Sequence, residues 1–164
     1  MDKKKELKFS YTEYFGIDDL PEELSKLARK AQEALKSSYS PYSHFAVGAA
    51  LQLKNGEVIL GSNQENGAYP SGLCAERVAL FYAGSTFPNT PVTAIAVAAS
   101  YKGKPTDHPV SPCGGCRQVM LETRNVGNEP MKLVMVGKSS VIVVDDISAL
   151  LPFTFSNIAD ILKD

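Results

Sequence analysis

The sequence predicts an α/β protein in which a mixed five-stranded sheet is packed between helices. Three observations carry that expectation. Short apolar runs of strand length alternate with stretches of helical periodicity. Later strand runs follow helical stretches, which calls for crossover connections and for parallel as well as antiparallel pairing. A chain of 164 residues also fits one domain that buries roughly 70% of the surface its unfolded form exposes. With no internal repeat or low-complexity linker, residues 21–164 read as one domain. Residues 1–20 fit neither pattern and read as an N-terminal extension, expected to be mobile.

The elements follow in order. Pro21-Glu22-Glu23 is a helix start, with proline tolerated in the first turn and acids favouring the positive helix end, and Leu24, Leu27, Ala28, Ala31 and Leu35 recur at helical spacing. The helix fades at Ser37-Ser38-Tyr39-Ser40-Pro41. Ala46 to Leu53 and Glu57 to Ser62 are apolar runs joined through Asn55-Gly56, a dipeptide that accepts the positive φ angles of a hairpin turn. Cys74 to Ala83 and Gly114 to Thr123 read as helices. Val92 to Ala99, Met131 to Val136 and Val141 to Asp145 supply the remaining strands, followed by a helical tail.

Composition excludes several functions. Hydrophobic residues make up 44% of the chain, yet no apolar run approaches the roughly 20 residues of a membrane-spanning helix. No charged stretch followed by an apolar core opens the chain, so the expectation is a soluble cytoplasmic protein with no membrane partner. Lys and Arg total 17 against 18 for Asp and Glu, and the one basic cluster, Lys3-Lys4-Lys5, lies in the extension. A face for long nucleic acid needs a basic stripe, which this sequence lacks.

The chemistry lies in the cysteines. Three are present, Cys74, Cys113 and Cys116, and three cannot pair off completely. Structural zinc takes four protein ligands, whereas catalytic zinc takes three and keeps a position for water. Both cysteine motifs fall at expected helix starts, where unpaired N–H groups and the helix dipole stabilise thiolates. Glu76, two residues after Cys74, stands where a carboxylate can shuttle protons to and from that water; its bland alternative is a first-turn acid that only favours the dipole. Arg77 is either a hydrogen-bond donor to a ligand sulfur or a surface ion-pairing residue.

Cys113-Gly114-Gly115-Cys116 alone is weak evidence, because redox motifs and zinc knuckles share its spacing. Together with Cys74-Ala75-Glu76-Arg77, Ser40 through Ala50, Asn63-Gln64-Glu65-Asn66 and Ser111 through Val119, it resembles the cytidine deaminases over about residues 24 to 155. The resemblance implies the family's α/β/α layers, one zinc per chain, and hydrolysis of cytidine and 2′-deoxycytidine to the uridine forms with release of ammonia, as in pyrimidine salvage. It implies attack on C4 by a zinc-bound hydroxide, with Glu76 carrying the protons.

By the same resemblance Asn63 and Glu65 meet the ribose hydroxyls, Phe45 lies near the nucleoside, and backbone groups at Ala75 and Ser111 meet the base. Leu150 to Phe155 is similar to a segment whose last aromatic reaches a neighbouring subunit's site in the small homotetrameric members. Phe155 is the candidate for that contact, so the nucleoside and further copies of this chain are the implied partners. Loop residues, for Asn63 and Glu65, and a core ring, for Phe45, are the plain alternatives; for Phe155 it is a plug within its own subunit. Gly67-Ala68 and the longer loop from Tyr101 to Val110 depart from the pattern without touching a ligand, and His44 and His108 read as rim and solvent residues. Two other functions stay open on sequence: a structural-zinc or redox module using Cys113 and Cys116, and an aminohydrolase for a modified nucleoside.

Overall fold

Two of the described helices are seated on the sheet by small residues that let backbones approach closely. The computed structural model describes residues 2–156. α1 (Glu22–Ala34) starts behind Pro21 and turns Leu27, Ala28, Ala31 and Ala34 inward. It lies so close to the sheet that a Cβ on Gly48 would stand 2.2 Å from the Ala31 carbonyl oxygen. The facing sheet residues Ala50, Ala94, Ala96 and Ala98 are all alanines in the same core layer.

β2 (Phe45–Leu53) and β3 (Val58–Ser62) form the expected hairpin, with a different turn. Only Gly56 takes a positive φ, 94°. Its N–H donates to the Leu53 carbonyl at 3.0 Å, and the Leu53 N–H donates to the Glu57 carbonyl at 2.9 Å, which makes a three-residue loop with glycine in the left-handed position. Asn55 instead uses its side chain, whose Oδ1 accepts from the Glu57 N–H.

β4 (Val92–Tyr101) is the centre of the sheet, antiparallel to β2 and parallel to β6 (Lys132–Val136). The parallel pair requires the crossover through α3 (Gly114–Gly127), and α2 (Ala75–Thr86) carries the chain from β3 to β4. β7 (Val141–Val144) returns antiparallel to β6. The sheet is mixed and lies between α1 on one face and α2 with α3 on the other. Period-2 alternation divides β4: Ile95 and Val97 face α2 and α3, while Ala94, Ala96 and Ala98 face α1.

The sheet has seven strands rather than the five expected. β1 (Thr12–Tyr14) adds to the edge of β7, with Glu13 opposite Ile142. β5 (Lys104–Pro105) folds back on β4 through Lys102 and Gly103, whose φ angles of 50° and 76° suit a tight two-residue turn. Within the N-terminal extension of residues 1–20, Thr12–Tyr14 is strand and Leu20 is 6% exposed. After β7 comes a 3-10 turn at Ile147–Leu150, in which the Asp146 carboxylate accepts the Ser148 N–H. The expected helical tail lies in part at residues 157–164, outside the described residues; the chain from Leu151 to Ser156 is irregular.

Candidate metal centre and substrate cavity

Two helix N-termini converge beside the sheet. Cys74 is the N-cap of α2, Cys113 is the N-cap of α3, and Cys116 lies in the first turn of α3. Neither N-cap side chain bonds a backbone N–H, so sulfur stands where a capping oxygen usually sits and the first-turn N–H groups favour negative charge there. Gly61 of β3 seats α2: a Cβ on it would lie 2.5 Å from the Ala75 carbonyl oxygen and 2.7 Å from the Ala79 nitrogen.

The three Sγ atoms lie within 4.8 Å of one another, and Cys74 and Cys113 are 4.0 Å apart. Tetrahedral zinc with sulfur ligands at ~2.3 Å sets its sulfurs about 3.8 Å apart, so the cluster fits a zinc ion with small adjustments. Arg77 Nη2 donates to Cys74 Sγ at 3.7 Å. Its Nε is buried without a hydrogen-bond partner among the described residues, as suits a guanidinium held against an anionic cluster. Hydrogen bonding from Cys116, reinforced by Arg77 and Cys113 against partial burial, lowers the Cys74 thiol pKa to about 5. The hydrogen bond to Cys74 and burial push the Cys116 thiol upward, so Cys116 is the proton-bearing partner of this pair.

Glu76 is 4% exposed at the start of α2. Burial, with a further contribution from the negative charge at Cys74, raises its carboxyl above the ordinary glutamate range. A buried carboxyl whose pKa is raised is suited to carrying a proton and giving it up to a stronger base.

Asn63 and Glu65 reach the same opening. Together with Tyr42, Ser43, Cys74 and Arg77 they line a cavity of about 520 Å³. Asn63 Oδ1 accepts from the Val47 N–H at 2.8 Å and from Ser38 Oγ at 2.6 Å, while its Nδ2 donates to the Phe45 carbonyl at 2.9 Å. The Glu65 carboxylate accepts from the Tyr42 N–H at 2.9 Å, the Ser43 N–H at 3.3 Å and the Ser43 hydroxyl. These bonds, led by the Ser43 hydroxyl and opposed by slight desolvation, hold Glu65 below the usual carboxylate range.

Seven other expected residues are not among the cavity's lining: Cys113 and Cys116 of the sulfur cluster, and Phe45, Ala75, Glu76, Ser111 and Phe155. Phe45 is half-buried at the start of β2, and its N–H donates to Ser43 Oγ. Ala75 is fully buried and Glu76 nearly so. Ser111 is exposed, and its hydroxyl accepts from Arg117 Nη2 at 2.7 Å. Phe155 is 65% exposed, with its carbonyl held by Gln118 Nε2 at 2.9 Å. His44 and His108 are exposed.

Sequence reasoning passed over Ser43 and Arg117. Ser43 joins Glu65 to Phe45 through one hydroxyl. Both residues stand inside the segments that carry the family resemblance, so the signal was present without a role attached to it.

Residues 21–128 match the family model of the cytidine and deoxycytidylate deaminase zinc-binding region. The chain is 40% identical to a cytidine deaminase of Sporosarcina psychrophila over 134 residues, covering 82% of this chain and 92% of that protein. It is 51% identical to a cytidine deaminase of Halalkalibacterium halodurans over 96 residues, 58% of this chain and 68% of the relative. The crystal structure of cytidine deaminase from Burkholderia pseudomallei superposes with a TM-score of 0.69 at 39% identity, over 79% of this chain and 97% of that one.

Proposed function

The chain belongs to the cytidine and deoxycytidylate deaminase zinc-binding family, and from that premise we propose that it hydrolyses cytidine and 2′-deoxycytidine to uridine and 2′-deoxyuridine with release of ammonia. The observation that carries this reading is a cluster of three cysteine sulfurs within 4.8 Å of one another, with buried Glu76 two residues along from Cys74, which itself lines a cavity that also presents an amide and a carboxylate. It also favours a metal centre over a redox pair, because a Cys113–Cys116 couple leaves Cys74 and Glu76 without a task.

Cys74, Cys113 and Cys116 hold one zinc. When bound, the zinc lowers the pKa of a water in its fourth position so that it is a nucleophile near neutral pH. Glu76 takes a proton from the attacking water and gives it to N3 as the water oxygen bonds to C4; it then takes the remaining hydroxyl proton and gives it to the exocyclic nitrogen, so that the C4–N bond breaks and ammonia leaves. Its carboxyl, raised by burial above the ordinary glutamate range, suits a group that both takes up and gives away a proton. Arg77 offsets the negative charge at the thiolates by donating to Cys74.

Asn63 and Glu65 take the sugar. With Oδ1 doubly occupied and one amide hydrogen given to Phe45, Asn63 keeps one N–H for a hydroxyl. Glu65, with three donors already in place, keeps a lone pair on the same side. Phe45 contributes an apolar surface near the nucleoside, and backbone groups at Ala75 and Ser111 meet the base, the Ser111 carbonyl accepting from the departing amine.

Residues 21–164 act as one catalytic domain, and the working unit is a homotetramer in which Phe155 completes a neighbour's site. Its exposure and its distance from the lining of its own cavity support that assignment. Among the described residues no helix is long and apolar enough to cross a membrane. A cytoplasmic place in pyrimidine salvage accords with this reading.

An absorbance assay of the purified protein with cytidine, deoxycytidine and free cytosine tests the proposal, with chelator-treated protein as the control. Turnover of both nucleosides, lost on chelation, is the expected result. No reaction on any of the three would direct attention to a modified nucleoside.

A further inference from the structure

We propose that Arg117 is a positioning residue for this deamination, holding the Ser111–Pro112 turn where its backbone meets the base. The inference rests on the reading that the Ser111 carbonyl faces the departing amine. Arg117 follows the ligand Cys116 on α3 and folds back over the turn leading into that helix. Its Nε donates to the Pro112 carbonyl at 2.9 Å, its Nη2 donates to Ser111 Oγ at 2.7 Å, and its Nη1 reaches the Leu150 carbonyl at 3.5 Å.

Pro112 is buried, so its ring is packed, but few hydrogen bonds orient the turn. Residues 109–113 belong to no helix or strand, and Pro112 has no N–H with which to pin the backbone. The available handles are therefore the Ser111 hydroxyl and the Pro112 carbonyl, and one planar guanidinium takes both. Among the described residues the Ser111 carbonyl itself accepts no hydrogen bond, so it is held in place by its neighbours while left open to a ligand. A fork of fixed geometry suits this task better than an ammonium, which cannot present two donors in one plane. The bond to Leu150, with that from Gln118 to the Phe155 carbonyl, ties the C-terminal segment to the same helix.

Steady-state kinetics on zinc-loaded protein test the proposal. Arg117→Ala should lower kcat/KM for cytidine roughly tenfold or more, the scale of losing one hydrogen bond from a charged donor, with KM raised and zinc still one per chain. A purely structural role predicts less active protein with an unchanged KM. Arg117→Lys, which keeps the charge but cannot make both bonds, should fall between wild type and alanine and serves if the alanine variant does not fold. Ser111→Ala should have a smaller effect, and adding it to Arg117→Ala should cost nothing further, because both act through one turn. Unchanged KM, additive losses, or an activity loss that tracks lost zinc would overturn the proposal. Absence of turnover by the wild-type protein would instead remove the underlying reading, a result distinguishable from an active wild type matched by Arg117→Ala.

Discussion

The cavity has two sides built on different principles. The metal side rests on two helix ends above the core: Ala75 and Cys116 are fully buried and Glu76 is 4% exposed. The sugar side is made of loops, with Tyr42 51% and Tyr69 75% exposed, and Glu65 is oriented by the backbone and side chain of residues 42 and 43. Helix ends over a packed core fix atoms to the tolerance that bond making demands, while loops joined by hydrogen bonds recognise a ligand at lower cost in strain. Under the proposed function turnover belongs to the first region and affinity to the second, and substitutions separate the two.

The largest effect belongs to Glu76. Glu76→Gln keeps the shape and removes the proton carrier, so kcat should fall by about 10³-fold, within the range for a positioned acid or base. Zinc content measured by metal analysis should stay at one per chain, since the residue is not a ligand. Near-normal turnover in a zinc-loaded variant would dissolve the distinction between the two sides.

Next comes the seat of α2. Gly61→Ala places a methyl where the Ala75 carbonyl oxygen lies 2.5 Å away, in backbone that cannot step aside as a side chain can. The expected cost is about 1–3 kcal/mol of stability, as for other overpacked sites. Because α2 carries Cys74 and Glu76, kcat should fall along with thermal stability. A melting curve together with kinetics on the folded fraction checks both. A comparable insertion on the loop side has no such lever.

On the sugar side, Asn63→Ala and Glu65→Gln should raise KM for cytidine by roughly tenfold, the scale of one lost hydrogen bond to a charged or well-placed partner. Their kcat at saturation should change much less. A drop confined to kcat would break the assignment of affinity to this region. Free cytosine, lacking ribose, should not distinguish these variants from wild type.

How legible each side was in the sequence follows from what kind of signal it leaves. The cysteines were readable because three thiols at two helix starts are rare and chemically specific, whereas Glu76 stood out only by its place two residues after one of them, since acids in a first turn are common. The large strands were readable as apolar runs, though not which residues of β4 face which helix layer. β1 and β5 were not, because strands of three and two residues leave no period and exist only through the partner they meet. Asn55-Gly56 announced a hairpin but not its loop, since only Gly56 needed the left-handed conformation. Gly61, Ser43 and Arg117 carry no mark of their tasks: a glycine's value is the backbone it admits, and the other two act on carbonyls, amides and hydroxyls whose positions only the fold decides.

The smallest effect concerns a pair on neither side and serves as the control for all the others. Arg124 near the end of α3 holds Asp146 with Nη2 at 2.8 Å from Oδ2, and Asp146 caps the 3-10 turn that leads to the C-terminal segment. Burial pushes the Asp146 carboxyl up, but Arg124 and the Ser148 N–H outweigh it and hold the group below its ordinary value of 3.8. A carboxyl depressed in the folded state adds stability that is fully present above that ordinary value and disappears as the pH falls through the lower, folded one. Asp146→Asn should therefore cost about 1 kcal/mol near neutral pH, in keeping with a partly exposed ion pair. The gap between variant and wild type should begin to narrow as the pH falls below 3.8 and close only below the depressed folded-state value, where both carry an uncharged group. Denaturant unfolding at both pH values measures the gap, and kcat, KM and zinc content should match wild type. A change in KM or kcat would mean that the far end of α3 is coupled to the metal side, and that the helix transmits strain along its length instead of isolating the centre at its start.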